Sequence, residues 1–418
     1  MNPLRLCNPG LLGPILLALS ACSGGNDLPP GGEADPPPEG KRDVLVVSNN
    51  WSGTADFVDV HTFERLMRLD IVPDKDERVA EITSNPAKLA YFLLIRQQIG
   101  EGHDQYVDDS FLSKDGRFLY VSRPSFCDVV AFDLTTRTIA WRTSLEGYRA
   151  DHMAISPDGT RLAVSASTAN IVEILDTRTG AVVGQFESGD SPHENNYSAD
   201  GSKIFHASIG LVYTPTEGVF GPGGSLKGER YFQVVDTSDN AVLKRVDMGQ
   251  KLEEAGYPGM SAAVRPMAIA PDENTFFFQV SFFHGFVQYD LAQDKVVRVV
   301  DLPKRTTEPL VNYQLDSAHH GLAIRQDGSK LCAAGTMDGY AAMVSTSTFD
   351  YTLVDVGPKP YWTTPSDDGR YCFVSVSEDD AVAVIDFDTN EMVEKFAVGD
   401  HPQRMRTGQI LNAVLSQP

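Results

Sequence analysis

The side chains of this chain best suited to chemistry are imidazoles, carboxylates and guanidinium groups, and they are widely scattered. His152, the run His193-Glu194-Asn195, the pair His319-His320, and Asp108, Asp151, Arg265, Tyr361, Trp362 and Arg404 belong to no single motif. If a fold brings them together, three chemistries suit them. A divalent metal could be held by imidazole and carboxylate, with His152, His193, His319 and His320 as ligands. A metal-free proton abstraction could use His193, Glu194, His152 or Tyr361, with Arg265 or Arg404 neutralising a substrate carboxylate, as a lyase requires. A plain binding site could use Asp108, Asp151, Asn195, Trp362 and Arg404, with Tyr213, Tyr313, Tyr361 and Trp362 offering faces to a sugar. No spacing decides among the three.

The elements that must position these residues come from a repeat. Turn signals recur at Asp115-Gly116, Asp158-Gly159, Asp200-Gly201, Asp272-Glu273, Asp327-Gly328 and Asp368-Gly369, a unit of about 42 residues with two insertions. Residues 151–186 show it most clearly, as four short apolar, β-branched runs separated by PDG, TAN and TRTG. Each run reads as a strand. Asp133, Asp176, Asp236, Asp290 and Asp386 close the third run of their units, where a carboxylate can accept turn N–H groups, a structural role.

Four-stranded units repeating at this length predict an all-β, seven-bladed β-propeller over residues 44–411. The first unit lacks an innermost strand, and residues 399–406 supply one without a blade. Pairing the C-terminal strand with the N-terminal blade would close the ring and remove a free sheet edge. The long insertions, 72–104 with a helix expected over Pro86–Gln98, 209–229, 248–264 and 302–318, all fall on the face of the inter-blade loops. That is therefore the expected functional face. Most histidines fall at the starts of innermost strands, around the channel mouth, and His206 and His284 fall at second-to-third-strand loops.

The repeats LYVSRPSFCDVVAFDLTTRT and HMAISPDGTRLAVSAS, with Gly-x-x-Pro openings at Gly189–Pro192, Gly357–Pro360 and Gly399–Pro402, resemble the YVTN-type seven-bladed propellers of bacteria. That group is similar to the propeller of nitrous-oxide reductase. The resemblance implies the fold and leaves function open, since propellers host binding, scaffolding and catalysis. It also implies that histidine after Gly-x-x-Pro can belong to the repeat itself. A copper cluster like that of nitrous-oxide reductase is not expected, because the additional copper domain and its cysteine ligands are absent.

Arg5, the apolar run Leu11–Leu19 and Leu19-Ser20-Ala21-Cys22 resemble the signal peptide and lipobox of a bacterial lipoprotein, with Cys22 lipidated. Residues 1–21 would be removed, 22–43 would form a Pro/Gly-rich disordered tether, and 412–418 a tail. The expected location is the bacterial outer membrane, on its periplasmic or surface face. A formal charge of −22 makes nucleic acid an unsuitable partner. Of the cysteines left after processing, Cys127, Cys332 and Cys372, none shows the spacing of a zinc or haem motif. Neither haem nor nucleotide is expected; one divalent metal is the cofactor the residues allow. Cys332 and Cys372 occupy equivalent strands of neighbouring units and are expected as buried thiols, with a disulfide the alternative. The leading expectation is a lipid-anchored propeller that binds a small polar or carbohydrate ligand at the central funnel. The alternative is a lyase or hydrolase on a glycan or lactone, and a protein-interaction scaffold is the third reading.

Overall fold

A computed structural model describes residues 40–212 and 227–416. The leader, Cys22, most of the tether, Tyr213 and most of the 209–229 insertion lie outside the described residues. Seven four-stranded antiparallel sheets form the chain. Blade 1 combines Pro402–Leu411 with Lys41–Asn49, Thr54–Asp59 and Arg65–Asp70. Blades 2 to 7 follow in sequence order, and their innermost strands are Ser110–Leu112, Ala150–Ile155, Pro192–Tyr197, Val264–Ile269, Leu322–Ile324 and Pro360–Pro365. The architecture is the expected seven-bladed propeller, closed as expected: Lys41 faces Leu411 and Val47 faces Met405 in one antiparallel ladder. That ladder begins at Lys41, so residues 41–43, expected in the tether, belong to the first strand.

Each sheet is buried on both faces, which is why its strands read as continuous apolar runs. Along Thr275–Val280, Phe276 and Phe278 pack against blade 4, while the intervening Phe277 packs against blade 6. Along Lys41–Asn49, Val44 and Val46 face blade 2, and Leu45 and Val47 face blade 7. The period of two thus divides every blade's side chains between two seams.

The turns follow the sequence signals. In the Asp-Gly turns Gly116, Gly159, Gly201, Gly328 and Gly369 have φ between +70° and +76°, a conformation that glycine adopts without steric cost. Glu273 takes the same place in blade 5 at φ +50°. The aspartates closing the third strands accept turn amides, as when Asp176 accepts from Arg178 and Thr179 at 3.1 and 3.0 Å. Between blades 1 and 2 lie α1 (Lys75–Thr83) and α2 (Pro86–Gln98), the latter capped by Asn85. α3 (Met248–Glu254) lies between blades 4 and 5. No helix among the described residues is long and apolar enough to cross a membrane.

Two expectations are corrected. His206 lies within the second strand of blade 4, Lys203–Ser208, opposite Gln233, and not in a loop. Cys332 and Cys372 are joined in a disulfide, not held as separate thiols. The seam they share, between blades 6 and 7, is lined by Ala334, Ala341 and Ala383, and these small side chains let the two sheets approach closely enough for the sulfurs to meet. Cys127 remains free. Replacing both bridged cysteines by alanine is expected to cost about 2–4 kcal/mol. Denaturant unfolding of oxidised and reduced wild-type protein should show the same gap, and coincident curves would contradict the bridge.

Candidate functional site

The starts of the innermost strands converge on the axis, and the side chains there are buried. Asp108 is 1 % exposed, Asp151 3 %, His152 0 %, Glu194 2 %, Arg265 0 % and Arg404 2 %. Their positions follow from strand periodicity. Arg404 and Arg406 are two apart on the closing strand and lie on one face of it. Arg404 donates to Asp108 and Arg406 makes a bidentate pair with Asp109, at 2.9 and 2.7 Å. Both guanidinium groups lie over the Trp362 ring, 4.9 and 5.1 Å from its centroid. Arg149 donates to Asp151, whose same oxygen accepts from Ser167 at 3.1 Å.

Three imidazoles lie inside this charged ring. His152 and His193 are 3.7 Å apart between centroids, and His193 meets His320 edge-on at 5.7 Å. His152 Nδ1 lies 2.8 Å from Glu194 Oε2 and 3.3 Å from Arg404 Nε. Its Nε2, His193 Nδ1 and Asp108 Oδ2 are buried without a hydrogen-bond partner. Burial holds all three imidazoles well below the ordinary imidazole value, and the charge of Arg404 adds to the effect. They are therefore neutral at neutral pH and have lone pairs to offer. Burial pushes Asp108 up to about 7 against the pull of Arg404, and Glu194 up to about 7 against Arg406 and Arg404. Burial likewise pushes the Tyr361 hydroxyl up to about 12.

Not every expected residue joins the ring. His319 turns away: its Nε2 lies 3.0 Å from Asp338 Oδ2, which is also 2.6 Å from His284 Nδ1, while His284 Nε2 meets the Tyr313 hydroxyl at 2.9 Å. Asp338 also accepts the amides of Arg305 and Thr306. This cluster pins the 302–318 insertion to blade 6, and it separates His319 from the four-histidine set. Asn195 faces the seam between blades 3 and 4, where it donates to Ser165 and its oxygen meets His206 Nδ1. His103 and His401 leave the ring to sandwich Trp51, at 3.8 and 3.7 Å.

Of the aromatic residues expected to stack on a sugar, Tyr313, Tyr361 and Trp362 are described, and each already has a partner. Tyr361 stacks on His320 at 4.3 Å, Tyr313 binds His284, and Trp362 carries the two arginines. Arg149, Arg406 and Asp338 were not among the residues singled out from sequence. Arg406 could have been found from its position two residues beyond Arg404, and Arg149 from its position two before Asp151.

Two faces of the ring can be compared among the described residues. Over the ring on the insertion face, Leu315 O accepts from Arg265, and Gln105 Oε1 lies 3.5 Å from Arg149. The axial cavity among the described residues, about 460 Å³, opens instead between tight turns at Ala199, Pro271 and Gln326. Its inner end is formed by Glu194, Trp362 and Arg406.

No family model matches the sequence, and no curated protein matches it. Solved structures do. Hydrazine synthase of Kuenenia stuttgartiensis is similar with a TM-score of 0.56 at 15 % identity, over 74 % of this chain and 96 % of that one. Dihydro-heme d1 dehydrogenase NirN in complex with DHE is similar with a TM-score of 0.52 at 12 % identity, over 85 % of this chain and 63 % of that one. The present chain thus spans less than two thirds of NirN. At such identities the likeness shows the fold alone, the same seven-bladed β-propeller that the sheet order describes.

Proposed function

We propose that this propeller binds a small polar molecule bearing a carboxylate at its axis. The observation that carries the reading is the axial cavity, which ends on Glu194, Trp362 and Arg406. Beside that end Arg404 pairs with Asp108, Arg406 with Asp109 and Arg149 with Asp151. Arg406 at that end offers guanidinium N–H groups to an incoming carboxylate.

One observation favours catalysis as a second reading. Glu194 lines the cavity, contacts His152, and titrates near the working pH of a general acid or base. A lyase or hydrolase acting on a uronate or lactone would use such a pair. The similarity of the repeats to YVTN-type propellers accommodates binding and catalysis equally.

Both readings are tested together by calorimetry against a panel of mono- and dicarboxylates and uronic acids, with uronate polysaccharides and lactones assayed for turnover. One class should bind in a 1:1 ratio. Arg406→Gln should weaken it about 10- to 100-fold, the range of a hydrogen bond to a charged group. Glu194→Gln should lower any turnover by about 10²- to 10⁴-fold. Folded wild-type protein that binds nothing in the panel, or affinity indifferent to Arg406→Gln, would overturn the binding reading. Turnover undiminished in Glu194→Gln would remove the catalytic one.

Residues 1–22 support a further part of the proposal, export and lipid attachment at Cys22, and the disulfide suits an oxidising compartment. Labelled palmitate should be incorporated into the wild-type protein and not into Cys22→Ala, which should leave the membrane fraction. An unlabelled wild-type protein would contradict the attachment.

A further inference from the structure

Beyond the acidic ligand, a second group of atoms at the axis lacks partners. Asp108, Asp151 and His152 are each at least nine-tenths buried and can each offer one ligand atom, all within 4.8 Å of one another. The three are oriented alike. Asp108 gives one carboxylate oxygen to Arg404 and leaves Oδ2 without a partner. Asp151 gives one oxygen to Arg149 and Ser167, and its other, Oδ1, lies 3.7 Å from His152 Nε2, too far for a hydrogen bond. His152 Nε2 has no partner at all, while Nδ1 on the opposite side of the ring meets Glu194.

We propose that Asp108 Oδ2, Asp151 Oδ1 and His152 Nε2 are the protein ligands of a divalent cation. Buried polar atoms left unsatisfied are costly, and a cation here would satisfy both Asp108 Oδ2 and His152 Nε2. The surroundings match what metal ligands require. A ligating imidazole usually donates its other N–H to a carboxylate, which fixes the lone pair toward the metal, and ligating carboxylates are themselves hydrogen-bonded. Glu194 stands in the first role, and Arg404 and Arg149 in the second. At 2.8 Å the Glu194 contact is closer than that of Arg404 Nε at 3.3 Å, and so favours the proton on Nδ1. Two oxygens and one nitrogen, with coordination positions left open, suit manganese, ferrous iron or zinc better than a thiophilic metal.

Two other groups of metal-ligating residues are explained without an ion. In His284, His319 and Asp338 the nitrogens already bond the carboxylate at 2.6 and 3.0 Å. In His152, His193 and Glu194 the carboxylate is already bonded to His152. The Asp108 group differs because Asp108 Oδ2 and His152 Nε2 are both buried without a hydrogen-bond partner.

The test uses full-length mature protein stripped with chelator and titrated with Mn²⁺ alone, followed by the loss of the free-ion electron paramagnetic resonance signal, and with Zn²⁺ by calorimetry. One ion per chain is expected. Asp108→Asn and Asp151→Asn should each weaken it by at least about 100-fold, and Asp338→Asn should leave it unchanged. Should the axial variants not fold, anomalous diffraction from wild-type crystals soaked in Mn²⁺ should place the ion within bonding distance of His152 Nε2. No stoichiometric binding of either ion, binding lost in Asp338→Asn, or an anomalous peak elsewhere would overturn the proposal. Carboxylate affinity that persists in chelated protein binding no ion would overturn this inference alone. Mn²⁺ binding in protein that takes up no carboxylate would overturn the ligand reading alone.

Discussion

The ladder between the two ends of the chain is the constraint on which the rest depends. Pairing Pro402–Leu411 with Lys41–Asn49 gives blade 1 its fourth strand and abolishes the last free edge of the ring. The same strand carries Arg404 and Arg406 to the axis, where they meet Asp108 and Asp109 of blade 2. Closure of the fold and assembly of the site are therefore one event. Without the closing strand, Asp108 and Asp109 would lose their ion pairs with Arg404 and Arg406.

Such a cluster is costly to maintain. Four guanidinium groups, four carboxyls and three imidazoles sit in an interior of low polarity, where each unpaired charge is penalised heavily. Most of that cost is offset by pairing within the ring. Within it His152 Nε2, His193 Nδ1, Asp108 Oδ2 and Arg149 Nε have no hydrogen-bond partner. Asp108 Oδ2 and His152 Nε2 are the two of these that the proposed ion would satisfy. The apolar seams between blades supply the stability that tolerates them.

How much could be read beforehand differs between scaffold and site. Periodicity is local, so the Asp-Gly turns, the doubly buried strands, the helix over Pro86–Gln98 and the closing strand were all visible in the sequence. Convergence at the axis followed from topology, and it brought Asp108, Asp151, His152, His193, Glu194, Arg265, His320, Tyr361, Trp362 and Arg404 to one region. Side-chain direction was not visible. His319 and His320 are adjacent, so consecutive positions point apart, and only one of them faces His193. Asn195 is directed into a seam for the same reason. The bridge between Cys332 and Cys372 depended on how closely two alanine-lined sheets approach, which no spacing reveals. Long insertions mark a face without showing whether they line an entrance or cover it. Here the 302–318 segment reaches over the ring to Arg265.

A double-mutant cycle between Asp108 and Arg404 tests the central claim most directly, because these residues are 296 positions apart and touch only if the ring closes on a shared axial cluster. Stabilities of Asp108→Asn, Arg404→Gln and the double variant should show a coupling of about 1–3 kcal/mol. Effects that add to within about 0.5 kcal/mol would mean the two side chains act independently, and the account of a closure-assembled site would be wrong.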